Sequence, residues 1–342
     1  MLEKLLEERK LPPLESREIM LETIQREEFG FIPPAPEELT FDVTENVRGR
    51  FCGGHARRDR VIANCVINGK NFSFPFDAVY PTAPGKHPFF IHINFRPAVP
   101  DEYMPTEEII DNGFAELSFC YGDVSSDDGD FTNGLAGVIF EDGRREKDSP
   151  GKIALWAWAA MRVMDFAQTK GDVLDLGRGA VCGHSRLGKT ALLTAAYDER
   201  FACGYSNESG CSGAALARGT TGETVKQIVD RFPFWFCENY YKYSDNESAM
   251  PFDQHWLIAC IAPRLAMAGS ASLDDWAHPL SEQLAALAAS PAFKTGLICE
   301  DRPAEVGEAF LQGDVGYHLR HGEHFFSRTD WQRLMEFMEI HK

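Results

Sequence analysis

The sequence predicts an α/β fold: a mostly parallel central sheet with helices on both faces and an antiparallel N-terminal edge. Three observations carry that prediction. Between about residues 40 and 97 lie three β-rich runs, HARRDRVIANCVI, KNFSFPFDAVYP and HPFFIHINF, separated by Gly, Asn and Pro turns. Strands this closely spaced pair antiparallel. Strand and helix patterns then alternate, which is the arrangement of a parallel sheet covered on both faces. The composition, 44% hydrophobic and 25% charged over 342 residues, supplies enough apolar surface to offset chain entropy.

The elements follow in order. Residues 1–39 read as a helical lead-in, ended by the turn around Pro33, Pro34 and Pro36. Residues 40–342 form one catalytic-sized domain. GFAELSFCY (113–121) is a strand. The segment 152–169 is a helix with apolar residues nearly all round, and so buried. A short strand (179–183), a helix (191–199) and a strand (201–207) come next. LIACIAPRLAMAGS (257–270) runs from a buried segment into a strand, followed by a helix (282–290) and a last strand (310–320). The final helix (330–340) would bury Trp331, Leu334, Phe337 and Met338, with Thr329 as its N-cap. The region from about 210 to 256 does not alternate and is aromatic-rich, so it reads as an insertion over the active-site edge. This is the ground plan of an α/β hydrolase.

Thirty-four Lys+Arg against 52 Asp+Glu gives a net charge of −18. Such a chain repels phosphate backbones, which argues against nucleic-acid binding and against adhesion to anionic membranes. No apolar run approaches the roughly 20 residues that span a bilayer. The charged N-terminal stretch has no signal-peptide core, so a cytoplasmic location is expected. Nine cysteines contain no CxxC pair, and neither a metal site nor a cofactor is indicated.

The most informative stretch is AVCGHSRLGKTALLTAAYDE. Residues Gly183 to Thr190 match G-x-x-x-x-G-K-[ST], a phosphate-binding loop in which Lys189 would pair with phosphates and Thr190 would hold Mg²⁺. The same residues fit a nucleophile elbow, with Ser185 on a sharp strand-to-helix turn. Position 187 is Leu, so G-x-S-x-G is not met and the glycine falls at 188. Context favours the elbow. A phosphate loop normally follows the first strand of its domain, whereas this one follows at least five. An acid and then a His also lie downstream, the order a serine hydrolase needs.

The base is His324, in the loop between the last strand and last helix, with His318 and His321 as rivals. Two acid positions compete. Glu208 ends the strand after the elbow helix; Asp274 and Asp275 follow the next strand. Spacing leaves the choice open. Asp253, Gln254 and His255 in PFDQHW read as capping and hydrogen-bonding residues. Of the aromatic run RFPFWFCENYYKY (231–243), Trp235 is a candidate binding platform or a buried plug.

GHSRLGKTA, Glu208 in NESG, LIACIAPR, a Trp-bearing acidic loop and a final GEH together resemble the glucuronoyl esterases of carbohydrate esterase family 15. The likeness is strongest to bacterial relatives often labelled acetylxylan esterases. It covers about residues 80 to 342. The resemblance implies a metal-free serine esterase acting on the ester of 4-O-methylglucuronic acid in xylan; an acetyl esterase on xylan fragments is the alternative of the same chemistry. It puts the nucleophile on Ser185, the base on His324 and the acid on Glu208, with Asp274 or Asp275 as an assisting or replacing acid. Arg186 would help form the oxyanion hole, and Lys189 and Trp276 would contact sugar. Fungal members carry a disulfide where this chain has His184 and Phe325.

Overall fold

The computed structural model describes residues 1–342. Ten strands make one sheet: β1 (Glu38–Thr44), β2 (Ala56–Ile67), β3 (Lys70–Pro81), β4 (His87–Asn94), β5 (Ala115–Cys120), β6 (Leu174–His184), β7 (Cys203–Asn207), β8 (Leu265–Ala271), β9 (Ala309–Phe310) and β10 (Val315–Arg320). Their spatial order is β1-β2-β3-β5-β4-β6-β7-β8-β10-β9. The β1–β2, β2–β3 and β3–β5 pairs are antiparallel, and the run from β5 to β10 is parallel.

Burial follows that division. Every residue of β4 and β5 is buried, as befits strands covered on both faces. β2 alternates between buried and half-buried positions, because its outer face meets water. The edge strand β1 is short and half-exposed, with Glu38 and Asp42 discouraging further pairing.

The helix Lys152–Gln168 is buried along nearly its whole length, as expected. Its polar ends are satisfied internally: Trp156 Nε1 donates to the Ser125 carbonyl and Lys152 Nζ to Ser125 Oγ, at 3.1 and 2.9 Å. The N-terminal helices (Leu2–Arg9 and Arg17–Ile24) send Leu2, Met20 and Ile24 into the main core. The 210–256 segment holds one short helix, Val225–Arg231, and a series of tight turns.

Three details differ from the sequence expectation. Of the three β-rich runs read as antiparallel, HPFFIHINF is β4 and pairs parallel with β5 and β6, while β1 takes the outer antiparallel place. The last strand is not continuous over 310–320: a turn at Gln312–Asp314 splits it, and β9 folds back antiparallel on β10. The final helix, Arg328–Ile340, is capped by Ser327 rather than Thr329. Asp330 at its third position returns the bond to the Ser327 N–H, closing a reciprocal capping box.

Six buried groups give the fold an opposed pH response. Burial holds His92 and His184 down to about 3 and His318 to about 4. Below pH 6.5 the unfolded chain therefore binds protons that the folded chain refuses, and stability falls as pH falls. Burial pushes Glu28, Glu116 and Glu282 up to about 8. Above pH 4.5 the folded chain therefore keeps protons that the unfolded chain releases, and stability falls as pH rises toward 8. Between those limits the two sets offset. Thermal melts across pH are expected to peak between about 4.5 and 6.5, losing roughly 1.4 kcal/mol per pH unit per uncompensated proton outside it. A Tm that climbs steadily from pH 5 to 8 would contradict this.

Candidate active site

The parallel strands deliver their carboxyl ends to one edge of the sheet, where α/β sheets hold their ligands. Ser185 directly follows β6, and Glu208 directly follows β7. Asp274 lies three residues beyond β8 and His324 four beyond β10. Ser185, Glu208 and His324 line one pocket there, together with Arg186, Lys189 and Trp276. Larger surface clefts lie beside Tyr197 and beside Arg218, away from any of these groups.

Ser185 sits at φ 57°, ψ −126°, a conformation that side chains other than glycine rarely adopt. Strain of this kind costs about 1–3 kcal/mol and collects at functional turns. Two contacts hold it. The Ser185 N–H donates to the Asn207 carbonyl of the neighbouring strand at 2.9 Å, and the Ser185 carbonyl accepts from Gly188 N at 2.9 Å to start the helix Arg186–Tyr197. A Cβ at Gly183 would collide with the Leu187 carbonyl, and one at Gly188 would press on Ser206 and Ser209 at 3.0 Å. Both glycines are thus spent on bringing helix and strand together. The phosphate-loop expectation fails at the same residues. Thr190 is fully buried and its hydroxyl donates to the Arg186 carbonyl. Lys189, 3% exposed, donates its ammonium to the carbonyls of Ser209 and Cys211.

Hydrogen bonding sets Asp274 rather than Glu208 against His324. His324 Nδ1 donates to Asp274 Oδ2 at 2.6 Å. Glu208, the acid favoured from the sequence, stands 3.5 Å from the same nitrogen because both its oxygens are engaged elsewhere. Oε1 accepts from Arg320 at 2.6 Å and Oε2 from the Phe325 N–H at 2.9 Å. Burial pushes the Glu208 carboxyl up to about 10, against the pull of Arg320. With both oxygens already accepting, Glu208 has little left to offer the imidazole N–H. Burial also raises Asp274, but the hydrogen bond and charge of His324 outweigh it and hold this carboxyl below its ordinary value. Asp275 is exposed and makes no bond to His324. Glu208, Asp274 and His324 offer ligand atoms within 4.8 Å of one another, and of the three Glu208 is paired with the Arg320 guanidinium.

His318 and His321 lie elsewhere. His318 is buried in β10 against the Tyr205 hydroxyl, and His321 meets Ser272. His184, the residue before Ser185, borders the site. Its ring stands 4.3 Å from that of His324 and 5.7 Å from Tyr103, and Nδ1 donates to Asn207 Oδ1 at 2.7 Å. Phe325 packs on the same Tyr103 ring at 5.0 Å. All nine cysteines are free.

The two cations of the helix start are each held from outside the helix. Arg186 pairs with Asp127 and lies over the rings of Trp235, Phe95 and Phe232. Asp127 also accepts from Trp235 Nε1 at 2.7 Å, so one carboxylate fixes the cation and the aromatic insertion together. Trp235 is 4% exposed and stacked on Phe232 at 4.0 Å, so its ring acts as support, with Phe232 nearer the solvent. Trp276 is 46% exposed at the pocket rim. Burial lowers the Lys189 pKa, and the buried charge of Glu223, in the pocket wall, opposes that. The sequence reading missed Asp127, Glu223 and Arg320. For Asp127 a signal existed, the acidic turn SSDDGD ahead of the buried helix. Asp253 accepts from Ala217 N and Arg218 N, and His255 meets the Pro12 carbonyl, so PFDQHW is a bracing segment.

The strain at Ser185 has a thermal signature. Glycine at most positions is less stable than alanine, but here it relieves φ 57°. Ser185→Gly is expected to melt about 2 °C above Ser185→Ala. The usual order in calorimetry would show the turn to be unstrained.

Comparison with known proteins places the chain in a family. A family model described as glucuronyl esterase, fungi, matches residues 63–296. The chain is 40% identical over 240 residues to carbohydrate esterase MZ0003 from an unknown prokaryotic organism, covering 69% of this chain and 55% of that one. It is 28% identical over 271 residues to the 4-O-methyl-glucuronoyl methylesterase of Hypocrea jecorina, covering 77% and 53%. The chain thus spans about half the length of the curated relatives it matches. Among solved structures, the glucuronoyl esterase from Solibacter usitatus superposes with a TM-score of 0.86 at 30% identity, covering 95% and 92% of the two chains. A promiscuous CE15 esterase from a marine bacterial metagenome gives 0.83 at 31%, covering 95% and 91%. With an α/β-hydrolase-like fold, the chain belongs to the glucuronoyl esterase family, carbohydrate esterase family 15.

Proposed function

We propose that this protein is a serine esterase that hydrolyses esters of (4-O-methyl)glucuronic acid through an acyl-enzyme. The observation that carries the reading is the meeting, at one sheet edge, of a strained Ser185 with a His324 whose Nδ1 is bound to Asp274. Membership of the family supports the substrate class, since its curated members include 4-O-methyl-glucuronoyl methylesterases.

In this course Ser185 Oγ attacks the ester carbonyl carbon and its proton passes to His324 Nε2. No Ser185–His324 hydrogen bond is present without substrate; such bonds commonly tighten only in the Michaelis complex. Asp274 keeps the imidazole in the Nδ1–H tautomer and stabilises the cation that forms. The oxyanion of the tetrahedral intermediate meets the Arg186 backbone N–H at the helix start and the Arg186 guanidinium. As the intermediate collapses, His324 returns its proton to the departing alcohol, leaving glucuronoyl–Ser185. Water, deprotonated by His324, then releases the uronic acid. Lys189, Glu223 and Trp276 bind the sugar: an ammonium and a carboxylate suit ring hydroxyls, and an exposed indole suits the apolar face of a pyranose.

The test compares wild type with single variants on a benzyl ester of glucuronic acid and on a small aryl acetate. Wild type is expected to prefer the glucuronate ester, and Ser185→Ala to abolish turnover. Cleavage of the acetate alone would move the substrate class to acetyl esters. Among the acids, Asp274→Asn should lower kcat by about 100-fold or more and Glu208→Gln by about tenfold. The reverse order would return the orienting role to Glu208.

A further inference from the structure

We propose that Arg320 is the positioning residue of this centre: its guanidinium gathers Glu208, Asp330 and the main chain of the 321–325 turn, and so leaves Asp274 as the partner of His324. The inference rests on the serine-esterase reading above.

Arg320 is the last residue of β10 and is 8% exposed. All three of its nitrogens are used. Nε donates to Asp330 Oδ2 at 2.8 Å, and NH1 donates to the His321 carbonyl at 3.2 Å. NH2 donates to Glu208 Oε1 at 2.6 Å, to the Glu323 carbonyl at 3.0 Å and to the Phe325 carbonyl. His324 is therefore flanked on both sides by carbonyls bound to one planar group. The far end of the turn is fixed by the same group, because Asp330 also caps the last helix through Ser327. Gly322, at φ 141°, fits this arrangement: a Cβ there would fall on the guanidinium. On the other side Glu208 is turned onto Arg320 and the Phe325 N–H, which keeps it 3.5 Å from His324 Nδ1. A lysine, with one ammonium and no planar fork, cannot span five acceptors arranged this way.

The experiment measures Arg320→Lys and Arg320→Gln by steady-state kinetics on the glucuronate ester, by the rate of Ser185 labelling with a fluorophosphonate, and by the downfield Nδ1 proton resonance of His324 in NMR. Misplacement of a catalytic group by about 1 Å costs on the order of 100-fold. Arg320→Gln should lose about that in kcat with KM changed less than about threefold, and Arg320→Lys about tenfold. Labelling should slow in parallel, and the Nδ1 resonance should shift or vanish in both. If Arg320→Gln does not fold, Arg320→Lys decides alone. Turnover and labelling within threefold of wild type, with the resonance kept, would overturn the proposal; so would a raised KM at unchanged kcat. If wild type itself resists the fluorophosphonate, the serine-esterase reading fails, and the resonance still decides the role of Arg320.

Discussion

Strand β6 enters its helix through a single residue, and much of the site follows from how tightly it does so. A reversal at φ 57° needs the strand and the first helical turn to approach each other more closely than side chains permit. Gly183 and Gly188 supply that room. The result is a helix N-terminus, with its unpaired N–H groups, set against the pocket. The same closeness creates a difficulty. Arg186 and Lys189 are cations at the positive end of the helix dipole. Each is stable there because an acceptor from another segment meets it: Asp127 for Arg186, and the Ser209 and Cys211 carbonyls for Lys189. Asp127 then ties down Trp235, and through it the aromatic insertion.

A second dependence is the balance of charge beside His324. Two buried carboxyls, Glu208 and Asp330, share one permanent cation, Arg320, and a third, Asp274, meets His324. Buried carboxylates without partners are costly, so the surplus is relieved by holding a proton or by a new positive charge nearby. Glu208 feels both, since burial lifts it to about 10 while the charge of Arg320 pulls it down. Asp274 takes the second, because it is held low by His324. In the proposed course the imidazolium appears when Ser185 gives up its proton. Asp274, bound to Nδ1, then faces that cation directly.

The layout of the fold was legible because it rests on patterns of few residues. Two of the three β-rich runs form the antiparallel edge as read, the third joins the parallel part, and the all-round apolar stretch at 152–169 is the buried helix. The site was legible where chain order carries it, at Ser185 and His324. It was not legible where the answer depends on which atom is already occupied. Glu208 and Asp274 both follow strands of the right kind. Only Arg320 and the Phe325 N–H, contributed from more than a hundred positions away, turn Glu208 from His324. Asp127 is 59 residues from Arg186, so no local pattern announces the pair. The misplaced N-cap has a simpler cause: Ser327-x-x-Asp330 is a capping box, but Thr329 is nearer the apolar run and hides it.

The stretch from Gly183 to Thr190 shows how one string of residues can satisfy two patterns while its physics allows one. A phosphate loop needs its glycines to free backbone N–H groups for a ligand, its lysine to point at that ligand and its hydroxyl to reach a metal. Here the glycines are consumed by the strand–helix contact, the ammonium is bound by the Ser209 and Cys211 carbonyls and the Thr190 hydroxyl bonds its own helix. Ser185, Arg186 and Lys189 still line the pocket, but the backbone that would have to wrap a phosphate is already spent. A strained serine at such a turn, in a pocket shared with a histidine held by a carboxylate, suits nucleophilic attack better than the cradling of an anion.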